Sequence, residues 1–267
     1  MCLLLLAHEV HPAYPLVLLA NRDEFYARPT APLAYWSHEP AVLAGRDLKA
    51  GGSWLGITWG GRLAAVTNYR EPRASGSGSR SRGQLVSDFL TSRADPGTFL
   101  ERLGSTAAAY RGFNLIVGDI GTPASPTLCY FSNRGSGVVK LTAGIHGLSN
   151  HLLDTPWPKV SRGMAGLAGL LQAEDEPQPE QLMELLRDTT RPPDDELPDT
   201  GVGLDWERVL SPLFIASEAY GTRSSSVILV SAAGEVIFGE RTYAAGGPDA
   251  SRYQARWQRF SLEQGRD

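Results

Sequence analysis

Cysteine is nearly absent: Cys2 and Cys129 are the only two in 267 residues. Two thiols cannot build a disulfide framework, and neither sits in a C-x-x-C or His-x-His spacing of the kind a metal site uses. A reducing compartment, the cytoplasm, is the simplest expectation. Lysine is almost as scarce, with Lys49, Lys140 and Lys159 alone, so arginine carries nearly all the positive charge. That bias suits fixed-geometry pairing with carboxylate or phosphate. A formal net charge of -4 excludes a global basic field and makes nucleic acid a poor main partner. Long apolar runs are missing too. No stretch approaches the ~20 residues of a membrane-spanning helix, so a chain that does not span a membrane is expected. The apolar opening Leu3 to Leu6 has no basic flank and is stopped by His8 and Glu9, which reads as a buried strand rather than a signal sequence.

What is present is a globular composition, 42% hydrophobic and 20% charged, with no internal repeat and no linker. One domain over residues 1 to 267 is expected. Cys2 to His8 and Tyr14 to Ala20 flank a turn at His11-Pro12-Ala13, a hairpin pattern. Ser53 to Trp59 and Arg62 to Asn68 flank Gly60-Gly61, which admits the positive φ of a tight turn. Helical patterns cover Gln84 to Thr91 and Pro96 to Leu103, the second announced by Asp95 as N-cap. Strand-like runs return at Phe113 to Val117, Thr127 to Phe131, Val138 to Leu141 and Ile145 to Leu148. Two more helices are expected over Trp157 to Gln172 and Gln178 to Arg187, then an acidic, Pro-rich loop over 190 to 205. Ser224 to Ser231 and Glu235 to Tyr243 form a last hairpin. Helices grouped between runs of hairpins argue an α+β fold with mainly antiparallel sheets.

Cys2 is the sharpest chemical feature. Loss of Met1 would leave a free α-amino group on the same residue as a thiol, and an α-amino group titrating near ~8 can take the thiol proton. The plainer reading is a small buried residue opening a strand. After the second strand come Asn21-Arg22-Asp23-Glu24. In a tight hairpin the end of strand two lies beside the start of strand one, so Asp23 is expected within reach of Cys2, where a carboxylate would orient the nucleophile. A solvated loop with a surface ion pair is the alternative. His8, His11, His38, His146 and His151 are scattered without metal-like spacing. Arg70, Arg73, Arg80 and Arg82 form a basic, Gly- and Ser-rich arm, readable as an anion-binding loop or as a solvated linker.

Cys2, Asn21-Arg22-Asp23-Glu24-Phe25, Gly52-Ser53-Trp54-Leu55-Gly56, Thr67-Asn68-Tyr69-Arg70, Gly147-Leu148-Ser149-Asn150, Asp154 to Lys159 and Tyr220 to Ser225 together resemble the Asn-Arg-Asp-Glu family, also called the Transport and Golgi organisation protein 2 family. The resemblance implies an N-terminal-nucleophile fold, a four-layer αββα sandwich, and an association with haem trafficking and acyl-CoA or lipid homeostasis. A more distant similarity to choloylglycine hydrolases and penicillin V acylases implies roles. Cys2 would be the nucleophile, Asn21 and Asp23 would match the conserved Asn and Asp, the Tyr69 N–H and the Asn150 side chain would form an oxyanion hole, and Arg223 would match the last Arg. Apart from that similarity, Asn68 and the arm residues Arg70, Arg73, Arg80 and Arg82 are the expected ligand-binding residues. One departure stands out: the first Arg of the hydrolase pattern falls on Ala20, with Arg22 two residues on and thus on the same strand face. Two functions remain open. One is a thiol-dependent hydrolase of an amide or thioester in a small acyl-bearing anion, needing no cofactor. The other is a carrier of haem or acyl-CoA.

Overall fold

The computed structural model describes residues 2–72, 78–122, 126–173, 176–244 and 252–263. In chain order the elements are β1 (Cys2–His8), β2 (Leu16–Phe25), β3 (Thr30–Trp36), β4 (Glu39–Asp47), β5 (Leu55–Thr58), β6 (Arg62–Asn68), α1 (Arg82–Thr91), α2 (Pro96–Gly104), β7 (Phe113–Asp119), β8 (Thr127–Ser132), β9 (Val139–Lys140) and β10 (Gly144–Leu148). They continue with α3 (Pro158–Ala173), α4 (Pro179–Leu185), α5 (Leu204–Leu210), β11 (Tyr220–Val230), β12 (Glu235–Tyr243) and β13 (Tyr253–Ser261). The strands make two antiparallel sheets, ordered β10-β1-β2-β11-β12-β13 and β3-β4-β5-β6-β7-β8-β9.

Strand alternation sorts the side chains into layers. Leu4, Leu6, Leu16, Leu18 and Ala20 point to the core between the sheets, where they meet Ile57, Leu63, Ala65 and Ile116 of the other sheet. Leu3, Leu5, Ala7, Val17 and Leu19 point the other way, onto Val160 and Leu167 of α3 and Leu182 and Met183 of α4. On the far side of the seven-stranded sheet, Ala64, Val66, Leu115 and Val117 pack against Leu85, Val86 and Phe89 of α1 and Leu100 of α2. The result is an αββα sandwich with three apolar layers, an α+β architecture. Helix α3 lies close because glycine lines the contact: a Cβ at Gly163 would meet Leu5 Cδ1 at 2.8 Å.

Local chemistry explains most of the elements. The Asp95 side chain accepts the Thr98 N–H at 2.9 Å, with Pro96 in the first turn of α2. The β5–β6 turn places Gly61 at φ +83, where a Cβ would also lie 2.4 Å from the Gly121 nitrogen. Four elements escape a periodicity reading. The β3–β4 hairpin carries register shifts between Ala31 and Ala34 and between Tyr35 and Trp36, which destroy a period of two. Strand β13 is an edge strand rich in Arg and Gln, paired only to β12. The stretch 190 to 205, expected as a loop throughout, ends in the first residues of α5, a helix of only seven residues. Among the described residues no helix is long and apolar enough to cross a membrane.

Candidate functional site

The β1–β2 pairing sets Cys2 directly opposite Arg22, and the β2–β11 pairing sets Arg22 opposite Ser224. By the alternation above, Cys2 and Arg22 fall on the face toward the second sheet, while Asn21 and Asp23 fall on the helix face. Ala20 and Arg22 therefore share a face. Arg22 is fixed there by its guanidinium, which lies 4.3 Å from the Trp54 ring centroid, and by donation from Nη1 to Thr30 Oγ1 at 3.1 Å. Such a cation–π contact is worth about 0.5–2 kcal/mol.

A cleft of about 480 Å³ opens at this end of the sandwich. Cys2, Arg22, Asp23, Trp54 and Asn68 line it on the strand side, and Arg80, Arg82 and Arg111 line it across the way. With Arg28 and Lys49 it presents six cationic side chains against three acidic ones, Asp23, Glu24 and Asp47. A chain of net charge -4 thus concentrates positive charge at one place. Arg28 donates to Asp47 Oδ2 from Nε at 2.9 Å and from Nη2 at 2.6 Å. Burial alone would raise the Asp47 carboxyl, but these bonds and the N–H groups of Lys49 and Ala50 hold it below the usual range. Arg82 gives Nη1 to the Gly112 carbonyl, and burial first, then the charge of Arg111, disfavours its protonated form. An anion in the cleft would relieve both penalties.

Burial pushes the Cys2 thiol up, and the Asp23 carboxylate adds to the rise, while Arg22 and the Asp23 backbone N–H pull the other way. The resting thiol is therefore protonated and needs a base. Asp23 is 1% exposed and accepts Thr222 Oγ1 at 2.7 Å. Burial raises its carboxyl, and the largest opposing influence is Lys159. Lys159 was not foreseen as a site residue. It lies 3% exposed in the first turn of α3 and donates from Nζ to the Leu210 carbonyl at 3.0 Å. Its position in the Trp157-Pro158-Lys159 block and the rarity of lysine were the available signals.

Several expected roles are corrected by where the polar atoms go. Asn21 is fully buried on the helix face: Nδ2 donates to the Leu186 and Leu213 carbonyls, both at 2.8 Å, and Oδ1 accepts Ser225 Oγ at 2.6 Å. It ties the sheet to the helix layer and does not line the cleft. The Tyr69 N–H donates to the Gly112 carbonyl at 2.9 Å, because the chain continues the β6–β7 pairing, and so is not an oxyanion donor. Asn150 Nδ2 donates to the Asn68 carbonyl at 2.9 Å, placing that amide behind the cleft wall. Arg70 pairs with Glu207 at 2.5 Å in the interior instead of joining the basic arm. Arg223 is the extra residue where the β2–β11 register shifts, and its Nη1 donates to the carbonyls of Phe25, Tyr26 and Arg28. It braces the turn that carries Arg28. Arg80 and Arg82 reach the cleft, and Arg73 lies outside the described residues.

The Transport and Golgi organisation 2 family matches residues 1–245. The Transport and Golgi organization 2 homolog of Mus musculus is 36% identical over 278 residues, covering 98% of this chain and 100% of that protein. Transport and Golgi organization protein 2 of Drosophila melanogaster is 31% identical over 289 residues, covering 98% of each. Among solved structures, the C2A mutant of conjugated bile acid hydrolase from Clostridium perfringens aligns over 99% of this chain and 98% of its own, with a TM-score of 0.53 and 9% identity. That likeness shows the fold, the αββα sandwich of N-terminal-nucleophile hydrolases. Matched over nearly its whole length in sequence, the chain belongs to the Transport and Golgi organisation 2 family.

Proposed function

We propose that this protein is a thiol-dependent hydrolase that opens an amide or thioester in a small acyl-bearing anion. The observation that carries the reading is a thiol at the start of β1 in a cleft with an excess of cationic side chains. After loss of Met1, the α-amino group of Cys2 takes the thiol proton as Sγ bonds to the substrate carbonyl carbon. The same proton passes to the departing nitrogen or sulfur, leaving an acyl-Cys2 thioester that water then cleaves, regenerating the thiol. Arg22 and Arg82 face the developing oxyanion, replacing the donors that the Tyr69 N–H and Asn150 have given to other carbonyls. A reduced thiol suits the cytoplasm.

A carrier of haem or acyl-CoA is the second reading, favoured by one observation: the two donors the hydrolase pattern would use, the Tyr69 N–H and Asn150 Nδ2, are each bonded to a backbone carbonyl. Mass spectrometry after incubation with a panel of acyl amides and thioesters decides between them. An acyl adduct on Cys2 is expected, and its absence together with micromolar binding of haem or acyl-CoA would favour the carrier. The intact mass should also be short by one methionine, since retained Met1 blocks the α-amino base. Replacing Arg80 and Arg82 by Ser should weaken an anionic ligand by ~10-fold or more and flatten its salt dependence. Unchanged affinity at low salt would remove these residues from the site.

A further inference from the structure

Beside the cleft that holds Cys2 lies a second cavity of about 200 Å³, and the two share Asn68, Arg82 and Arg111 as a common wall. One peptide group fixes that wall. The Gly112 carbonyl accepts the Tyr69 N–H at 2.9 Å and Arg82 Nη1 at 3.1 Å, so the end of β6, the start of α1 and the residue after Arg111 converge on it. A Cβ at Gly112 would lie 2.9 Å from Tyr69 Cβ and 2.7 Å from Glu71 Oε1, so glycine permits the approach. The rest of the second cavity is built largely from Tyr69, Pro72 and Val202. Its other charged residues are already matched: Arg70 pairs with Glu207, and Glu71 accepts Arg134 Nε at 2.8 Å and the Gly112 N–H at 2.6 Å. Among the described residues Arg82 and Arg111 make no ion pair, and Arg82 spends only Nη1, on Gly112.

Two guanidinium groups between a nucleophile and an uncharged recess put the parts of a substrate in order. An anion belongs at the shared wall, the scissile carbonyl on the Cys2 side and an uncharged group on the other. Resting on the hydrolase reading of Cys2, we propose that the second cavity is a side-chain subsite and that the substrates are N-acyl amino acids with an apolar or aromatic side chain. In such a molecule a single carbon carries the amide nitrogen, the carboxylate and the side chain, which matches a cleft, a cationic wall and a recess that meet at Asn68, Arg82 and Arg111. Arg111 and Arg82 take the carboxylate, since a guanidinium fork fits that group with paired N–H donors. The acyl group passes to Cys2 Sγ, and the amino acid departs with the thiol proton on its nitrogen. Tyr69 and Val202 then set which side chain is accepted.

Binding to Cys2→Ala, which cannot turn over, reads the subsite apart from the chemistry. Calorimetry compares N-hexanoyl-phenylalanine with N-hexanoyl-glycine and with N-hexanoyl-phenylalaninamide. The first should bind at least ~10-fold tighter than the second, because its ring leaves water for the recess. It should also bind ~10-fold or more tighter than the third, whose neutral amide leaves the arginines unmatched. Val202→Trp, which fills the recess, should bring the phenylalanine-to-glycine ratio close to one. Equal affinity for the phenylalanine and glycine compounds overturns the proposal, as does no measurable binding of either at millimolar concentration, or a ratio that survives in folded Val202→Trp. The comparison of ligands decides even where Val202→Trp does not fold. Acylation of wild-type Cys2 by p-nitrophenyl hexanoate, which carries no carboxylate, tests the nucleophile separately. An adduct there without side-chain preference sinks this assignment alone, while preference without any adduct supports the subsite and ends the hydrolase reading.

Discussion

Cys2→Ala is expected to abolish acyl-adduct formation and all hydrolysis of acyl amides and thioesters, while the fold and the affinity for an anionic ligand stay nearly intact. The difference is physical. Bond-making needs one sulfur atom at one place, whereas holding an anion is distributed over several cationic side chains around the cleft. Removing Sγ also takes little from packing, since Cys2 is only partly buried at the open end of β1, and the strand is anchored by Leu3 to Leu6. Circular dichroism and a thermal melt check the fold, a competition assay checks affinity, and mass spectrometry with steady-state kinetics reads the chemistry. Turnover retained in Cys2→Ala would end the nucleophile reading, and loss of ligand affinity with turnover unaffected would contradict it from the other side.

Glu207→Ala is expected to destabilise the protein by about 3–5 kcal/mol, the cost of leaving a buried charge without its partner. Arg70 and Glu207 are 5% and 4% exposed at their side chains, and Arg70 is packed over the Trp157 ring at 4.8 Å, so its guanidinium cannot turn to water. Loss of Glu207 also strands the Thr200 N–H and hydroxyl, both of which it accepts. Removing both charges should be far milder: Arg70→Met/Glu207→Leu replaces the pair by apolar volume and should recover most of the loss. Urea unfolding of the two variants and the parent measures this. A loss of less than about 1 kcal/mol in Glu207→Ala would show that water reaches Arg70 and that the pair is not sealed. Because Arg70 N–H also donates to the Asn150 carbonyl, the same variant tests whether the wall behind Asn68 depends on this pair.

Much of the scaffold was legible because its signals are local. The Asp95 cap, the Pro96 that follows it and the Gly60-Gly61 turn act within a few residues, and each appears where the residue types require it. Short continuous apolar runs at Cys2 to His8 and Ser224 to Ser231 announced strands for the same reason. The missed pieces are those whose pattern is set by something distant: bulges re-aim β3 and β4, and β13 is polar because an edge strand faces solvent.

The sequence by itself determined that Cys2 opens a strand beside a returning Asn-Arg-Asp-Glu stretch, since a short hairpin leaves Cys2 few places other than opposite Arg22. Only the tertiary structure decided which polar atoms remain free to act. Asn21 bonds to Leu186 and Leu213, Arg70 to Glu207, and Asn150 to Asn68, partners 82 to 192 residues away along the chain. A motif names residue types, but a hydrogen bond is satisfied by whatever carbonyl or carboxylate packing brings within 3 Å, and that is a property of the assembled layers. The same packing buried Lys159 against the Leu210 carbonyl, a placement no spacing along the chain could announce.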